Sequence, residues 1–226
     1  MTQLQQAILC ATLDVRESDE ANFVDWHTRE HLVERLGISG FLRGRRFVRE
    51  NASPRYLILY DVQSLAVLSQ PDYVERLNNP TPWTRATLPT FCNGQRSAYR
   101  MVARKSQGEG AFMMLLRMSP GEVAPQEWEI GYIACDEWSK RPGIVGVSFA
   151  IPDQHASTLD TEESRQSGNR FAEEWLLLVE GTSERSLLNL ARSELTRMVS
   201  ERWGLSNVDS PQIFQLQVRM GREGAE

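Results

Sequence analysis

Histidine and cysteine are both scarce, with three of each in 226 residues. The cysteines, Cys10, Cys92 and Cys135, form no Cys-x-x-Cys pair and leave one unpaired in any disulfide scheme. That fits a reducing compartment and three small core residues. No apolar run approaches the length that spans a bilayer, and residues 1–15 lack a basic region followed by a long apolar stretch, so a cytoplasmic protein with no membrane partner is expected. Also missing are a glycine-rich phosphate loop, a dinucleotide fingerprint, a serine nucleophile elbow and a Cys-x-x-Cys-His haem attachment. Nucleotide, acyl-transfer and covalent-haem readings therefore lose their support. Positive charge is not in excess: 25 Lys and Arg stand against 30 Asp and Glu, for a net charge of -5. A general nucleic-acid surface needs clustered positive potential, so no nucleic-acid partner is expected. The local exception is Arg43, Arg45, Arg46 and Arg49.

What is present is ordinary core-forming material, 41% hydrophobic and 24% charged, arranged in a pattern that occurs twice. In residues 6–103, strands are predicted over Gln6–Leu13, Phe41–Arg49, Arg55–Val62 and Gln95–Val102, with helices from Ser18 or Asp19 to Leu36 and over Ser64–Leu77. Residues 111–220 repeat the order. Strands are expected over Phe112–Met118, Ile144–Ile151, Glu174–Glu180 and Ile213–Met220, and helices over Gln126–Ser139 and Ser183–Trp203. The polar stretch Pro152–Arg170 is predicted to be the least ordered. Each half has the order of a ferredoxin-like unit, whose antiparallel sheet buries one face under its helices and leaves the other needing a partner. The expected fold is α+β, two tandem ferredoxin-like βαββαβ repeats with their sheets packed face to face as an intramolecular α/β barrel. The expected repeats are 1–103 and 111–226, joined by a linker at 104–110, with a small-molecule cavity where the sheets meet.

Several runs carry a resemblance. Trp26-x-x-x-Glu30-His31-Leu32, Gly40-Phe41-x-Arg43-x-Arg45-Arg46, Arg55–Tyr60 and Leu77–Thr84 resemble the dimeric α/β-barrel superfamily, most of all its EthD-like and uncharacterised bacterial members. The likeness rests on motifs in the first half and on pattern in the second. That superfamily includes monooxygenases, isomerases and cyclases. The resemblance therefore implies a barrel that needs no cofactor and acts on a small, aromatic or polyketide-like molecule, with the barrel made here from the chain's own halves.

The polar chemistry lies in one half only. Aligning Gly40 with Gly143 sets His27 opposite Ile130, Glu30 opposite Ile133 and His31 opposite Ala134. His27 and His31 are four residues apart and share a helix face. His31 is the expected catalytic base, with Glu30 holding its tautomer, because an imidazole titrates near neutrality and a carboxylate raises its basicity. The plainer reading makes Glu30 a surface ion-pair partner and His31 a partly buried imidazole. Arg45 and Arg46 cannot both enter one cavity, since strand side chains alternate, while Tyr56 and Tyr60 share a face. One arginine with two tyrosines suits an anionic or phenolic ring. Trp26, His27 and Trp83 complete the candidate ligand-binding set, and no metal ligand is assigned. Two alternatives differ in class. The first is a non-catalytic binding or assembly module, for which a homodimer through exposed sheet edges is compatible. The second is a zinc hydrolase, since His27-x-x-Glu30-His31 spells an inverted zinc-peptidase pattern.

Overall fold

The computed structural model describes residues 6–121, 126–195 and 205–221. The chain divides into two compact units. The first holds the described parts of Gln5–Tyr99, Asp153–Ala172 and Gln217–Glu226, and the second those of Arg100–Pro152 and Glu173–Leu216. Among the described residues no helix is long and apolar enough to cross a membrane.

In the first unit β1 (Ala7–Val15), β2 (Phe41–Val48) and β3 (Tyr56–Val62) are antiparallel neighbours, with Cys10 opposite Leu59 and Arg46 opposite Ile58. The strand β4 (Phe91–Ser106) lies beside β1, so the order is β4-β1-β3-β2. Every residue of β3 is buried, as its Tyr-Leu-Ile-Leu-Tyr run demands. Alternation sends Leu9, Leu13, Ile58 and Tyr60 into a core shared with Phe23, Trp26, Leu32 and Leu36. Those last four come from a single helical run: α1 (Glu20–Trp26), a π-helical turn (His27–His31) and α2 (Leu32–Gly37). Gly40, at a φ of 93°, then turns the chain into β2. Two short helices follow β3, α3 (Pro71–Asn78) and α4 (Pro82–Thr87); the Thr81 hydroxyl caps α4 by accepting from the Thr84 N–H.

The stretch after Pro152 overturns one expectation. The stretch Pro152–Arg170, read from sequence as the least ordered, carries α6 (Gln154–Ser157) and α7 (Glu162–Ser167), and Asp153–Ala172 belongs to the first unit. Asp153 caps α6, and Thr161 and Ser164 form a reciprocal capping box on α7, which ends at a left-handed Gly168. Ala156 is buried in the core, the Glu162 N–H donates to Asn78 Oδ1, and Arg170 is bridged to Gln95. Local capping and these anchors supply the order that a count of polar residues hides.

The second unit contains β5 (Phe112–Pro120), α5 (Glu127–Trp138), β6 (Ile144–Asp153) up to Pro152, β7 (Trp175–Gly181), α8 (Glu184–Leu190), β8 (Leu205–Val208) and the part of β9 (Gln212–Gly221) up to Leu216. Its strand order is β9-β5-β7-β6, with β8, unforeseen in the sequence, paired to the end of β5. Trp138, Phe149, Leu177 and Leu187 fill its core. The helix expected over Ser183–Trp203 starts as foreseen, with Ser183 as its cap, and runs to Leu195; Met198, Val199 and Trp203 lie outside the described residues. Cys92 near the start of β4, expected in the core, proves exposed, and Trp128 on α5 is exposed as well.

Candidate functional site

The polar stripe of the first helix points at the sheet. Trp26, His27, His31 and Arg35 all line a cavity of about 400 Å³, floored by Leu9, Ala11 and Leu13 of β1 and Ile58 and Tyr60 of β3, and walled by residues 157–171. The expected location was a hollow where two sheets meet; this cavity lies on the helix-covered face of the first unit's sheet. Its floor is mostly apolar because alternate residues of β1 and β3 face the helix, and its polar groups come from the helix, from α7 and its flanks, from Tyr60 of β3 and from Arg96 of β4.

Within the π-helical turn the Leu32 N–H reaches the His27 carbonyl, one residue further than in an α-helix. The wider turn sets the His31 ring against Trp26, with ring centres 4.5 Å apart, and leaves His27 5.6 Å from His31. His27 is fully buried. Its Nδ1 lies 3.1 Å from Arg46 Nη1, and its Nε2 lies 3.3 Å from the Tyr60 hydroxyl. Burial first, then the Arg46 and Arg35 guanidinium groups, hold its pKa well below the usual imidazole value. His31 is held low in the same way, by burial and then by Arg35, His27 and Arg96. Both rings are thus neutral near pH 7. The Nδ1 of His31 is buried and has no hydrogen-bond partner among the described residues.

Sequence reasoning missed the partner of Arg35. Its guanidinium is buried, lies 5.5 Å over the Tyr73 ring and forms an ion pair with Glu163 of α7. Burial alone would lower the pKa of Arg35, and the adjacent carboxylate outweighs it and raises it. Among the described residues Arg35 Nη1 and Glu163 Oε1 have no hydrogen-bond partner. A signal was present, since Thr161-Glu162-Glu163-Ser164 opens like a capped helix, but nothing local says where that helix docks.

Other candidates sit elsewhere. Glu30 does not contact His31; its carboxylate accepts hydrogen bonds from the hydroxyls of Thr81 at 2.5 Å and Thr84 at 3.0 Å, fastening α4 to the helix. Thr84 in turn accepts from Trp26 Nε1 at 3.1 Å, so Glu30 acts on the site by holding the tryptophan that His31 stacks on. Arg45 lies on the opposite face of the sheet from the cavity, where it and Arg43 pair with Asp61. Arg46 faces the helix and touches His27 from behind but does not itself line the cavity. The Tyr56 hydroxyl donates to Glu20, and Trp83 donates to Asn22 Oδ1 and packs on the core; neither lines the cavity. The zinc reading meets a geometric obstacle. Both His27 nitrogens are engaged, one by a cation, Glu30 is tied to two threonines, and among the described residues no group of three His, Cys, Asp or Glu side chains converges.

No family model matches the chain, and no curated protein matches it. Solved structures do. A monooxygenase candidate from Fusobacterium nucleatum subsp. nucleatum aligns at a TM-score of 0.62 and 11% identity, over 98% of this chain and 96% of that one. An anthrone oxidase-like protein aligns at 0.64 and 7% identity, over 100% and 96%. Chlorite dismutase from Candidatus Nitrospira defluvii, in complex with imidazole, aligns at 0.58 and 10% identity, over 96% and 93%. The likeness is one of fold. It spans nearly the whole chain, so the mixed α/β, antiparallel architecture is shared with these proteins from end to end.

Proposed function

We propose that the first unit binds a small, flat phenolic or polyketide-like molecule in this cavity, and that His31 takes a proton from it without a cofactor. The observation that carries the reading is a neutral imidazole, stacked on Trp26, in an apolar cavity of about 400 Å³ with Tyr60 and a buried guanidinium at its edge. Such a base accepts a proton from a phenol or an activated carbon acid, and the nearby guanidinium groups stabilise the anion left behind. An electron-rich carbanion of this kind reacts with dioxygen, and the fold's likeness to monooxygenase candidates and to an anthrone oxidase-like protein supports oxygen chemistry over isomerisation. Trp26 and Tyr60 are the ligand contacts in this scheme, with His27 and Arg46 behind them.

The test uses 1,8-dihydroxyanthrone as probe, with binding followed by quenching of tryptophan fluorescence and turnover by oxygen uptake. The wild-type protein should consume oxygen, and His31→Ala should lose about a hundredfold or more in rate, as expected for removal of a general base. Equal rates in the two proteins refute the assignment of His31.

We also propose that the chain is a tandem duplication of a ferredoxin-like unit. Three parallels support it: the strand orders β4-β1-β3-β2 and β9-β5-β7-β6, the positive φ at both Gly40 and Gly143, and a register shift just inside both β2 and β6. A non-catalytic role in assembly is favoured by one observation only, the exposure of Trp128 and Tyr132 one turn apart on α5.

A further inference from the structure

We propose that Arg46, His27 and Tyr60 form a hydrogen-bond chain of fixed direction, ending in a donor for an anionic oxygen, a phenolate or enolate, bound in the cavity. The proposal rests on the reading of the cavity as a site for phenolic molecules, and it adds the group that recognises their ionised form.

The direction follows from what each group is able to donate. A guanidinium has donors and no acceptor, so Nδ1 of His27, 3.1 Å from Arg46 Nη1, presents its lone pair. Arg46 cannot swing away from this duty, because Nη1 also donates to the Val24 carbonyl at 3.1 Å and Nε to Gln217 Oε1 at 3.0 Å. The proton of the neutral imidazole is then on Nε2, which donates to the Tyr60 oxygen 3.3 Å away. A doubly protonated ring would set an N–H against the guanidinium, and burial opposes it as well. The Tyr60 hydroxyl, with its oxygen already accepting from His27, keeps its own proton to give. Among the described residues it has no protein acceptor, and Tyr60 lines the cavity. Burial keeps this hydroxyl from ionising, against the nearby Arg35 and Arg46, with Tyr73 and Glu163 acting in the same sense as burial. Tyr60 therefore donates to an anion and does not act as the base. The His31 ring lies 6.4 Å from the Tyr60 ring, so one flat molecule is able to give its proton to the first and set its oxygen on the second.

Two measurements test the chain. In the ligand-free protein, ¹⁵N imidazole shifts, assignable because there are only three histidines, should show His27 protonated at Nε2 alone at neutral pH. A Nδ1–H tautomer or an imidazolium overturns the proposal. In the second, 4-nitrophenol is titrated with wild-type protein across pH, and the visible band reports the bound phenolate. A charged hydrogen bond should favour phenolate over phenol by about tenfold or more, a preference that Tyr60→Phe loses and Arg46→Leu weakens. His31→Ala should keep the preference while losing turnover of the anthrone probe. Binding without preference for the phenolate overturns the chain and leaves the cavity reading standing; no binding of 4-nitrophenol by wild-type protein overturns both.

Discussion

Replacing Glu163 with alanine should cost the protein about 3–5 kcal/mol, the range for removing one partner of a buried ion pair. The side chains of Arg35 and Glu163 are only 2% and 10% exposed, so solvent and salt barely screen them and the surface-pair value near zero does not apply. Loss of the carboxylate leaves Arg35 charged and buried, with the Tyr73 ring at 5.5 Å as its remaining stabilising contact. A cation–π contact of roughly 0.5–2 kcal/mol does not replace the pair. For a chain of this length each kcal/mol moves the melting temperature by about 2–4 °C, so the expected drop is about 6–20 °C. The double variant Arg35→Met/Glu163→Leu removes both charges and should recover most of the loss, because the desolvation that burdens the pair disappears with it. Thermal unfolding of wild type, Arg35→Met, Glu163→Leu and the double variant by circular dichroism completes the cycle. A Glu163→Ala protein that melts within about 2 °C of wild type would refute the account of α7 as fastened through this pair.

Acid should destabilise the protein through its two buried imidazoles. Both His27 and His31 titrate lower in the folded chain than the 6.5 of the unfolded one, so above that pH neither state binds the proton and the stability is complete. As pH falls below 6.5 the unfolded chain takes up protons that the folded chain refuses, and stability drops by about 1.4 kcal/mol per pH unit per histidine until the folded pKa is reached. Urea unfolding at several pH values should show this slope, and His27→Gln should remove about half of it; a slope unchanged by that variant contradicts the buried neutral ring. Gly44→Ala should lose about 1–3 kcal/mol, since the added carbon would lie 2.5 Å from Leu32 Cδ2 and 3.0 Å from Tyr60 Cε1 in a packed core. An unaltered melting curve for that variant would mean that helix and sheet do not meet as closely as described.

Much of the scaffold was legible because periodicity reports burial directly. The fully buried strand Tyr56–Val62, the glycines at 40 and 143 and the stripe through Leu187 and Leu190 each have one local cause and one local result. The site was legible only in part. Alternation on β2 correctly separated Arg45 from Arg46, but only pairing to β3 decides that Gly44 and Arg46 face the helix, since the register shifts between Phe41 and Arg43. Glu163 lies 128 residues from Arg35, and no pattern in one sequence joins them. Glu30 misled for a related reason. Its place beside His31 in the chain suggested partnership, whereas Thr81 and Thr84, brought in by α4, offer the hydroxyls that claim it.

The π-helical turn explains how two histidines four residues apart come to differ in surroundings. In a regular α-helix they would stack on one face, the arrangement that lets a pair of imidazoles share a metal. Here the extra residue in the turn carries His31 over Trp26, while His27 drops towards the sheet and meets Arg46 and Tyr60. A wide turn is less stable than an α-turn and persists where packing fixes both of its ends. Phe23 and Trp26 do so before it and Leu32 and Arg35 after it, all four buried. The second unit keeps the scaffold but carries Ile130, Ile133 and Ala134 at the corresponding places, in a regular helix over Glu127–Trp138. The irregular turn and the polar residues thus occur together. That coincidence is what the proposed duplication, with a site built in one copy, requires, because core packing alone needs neither.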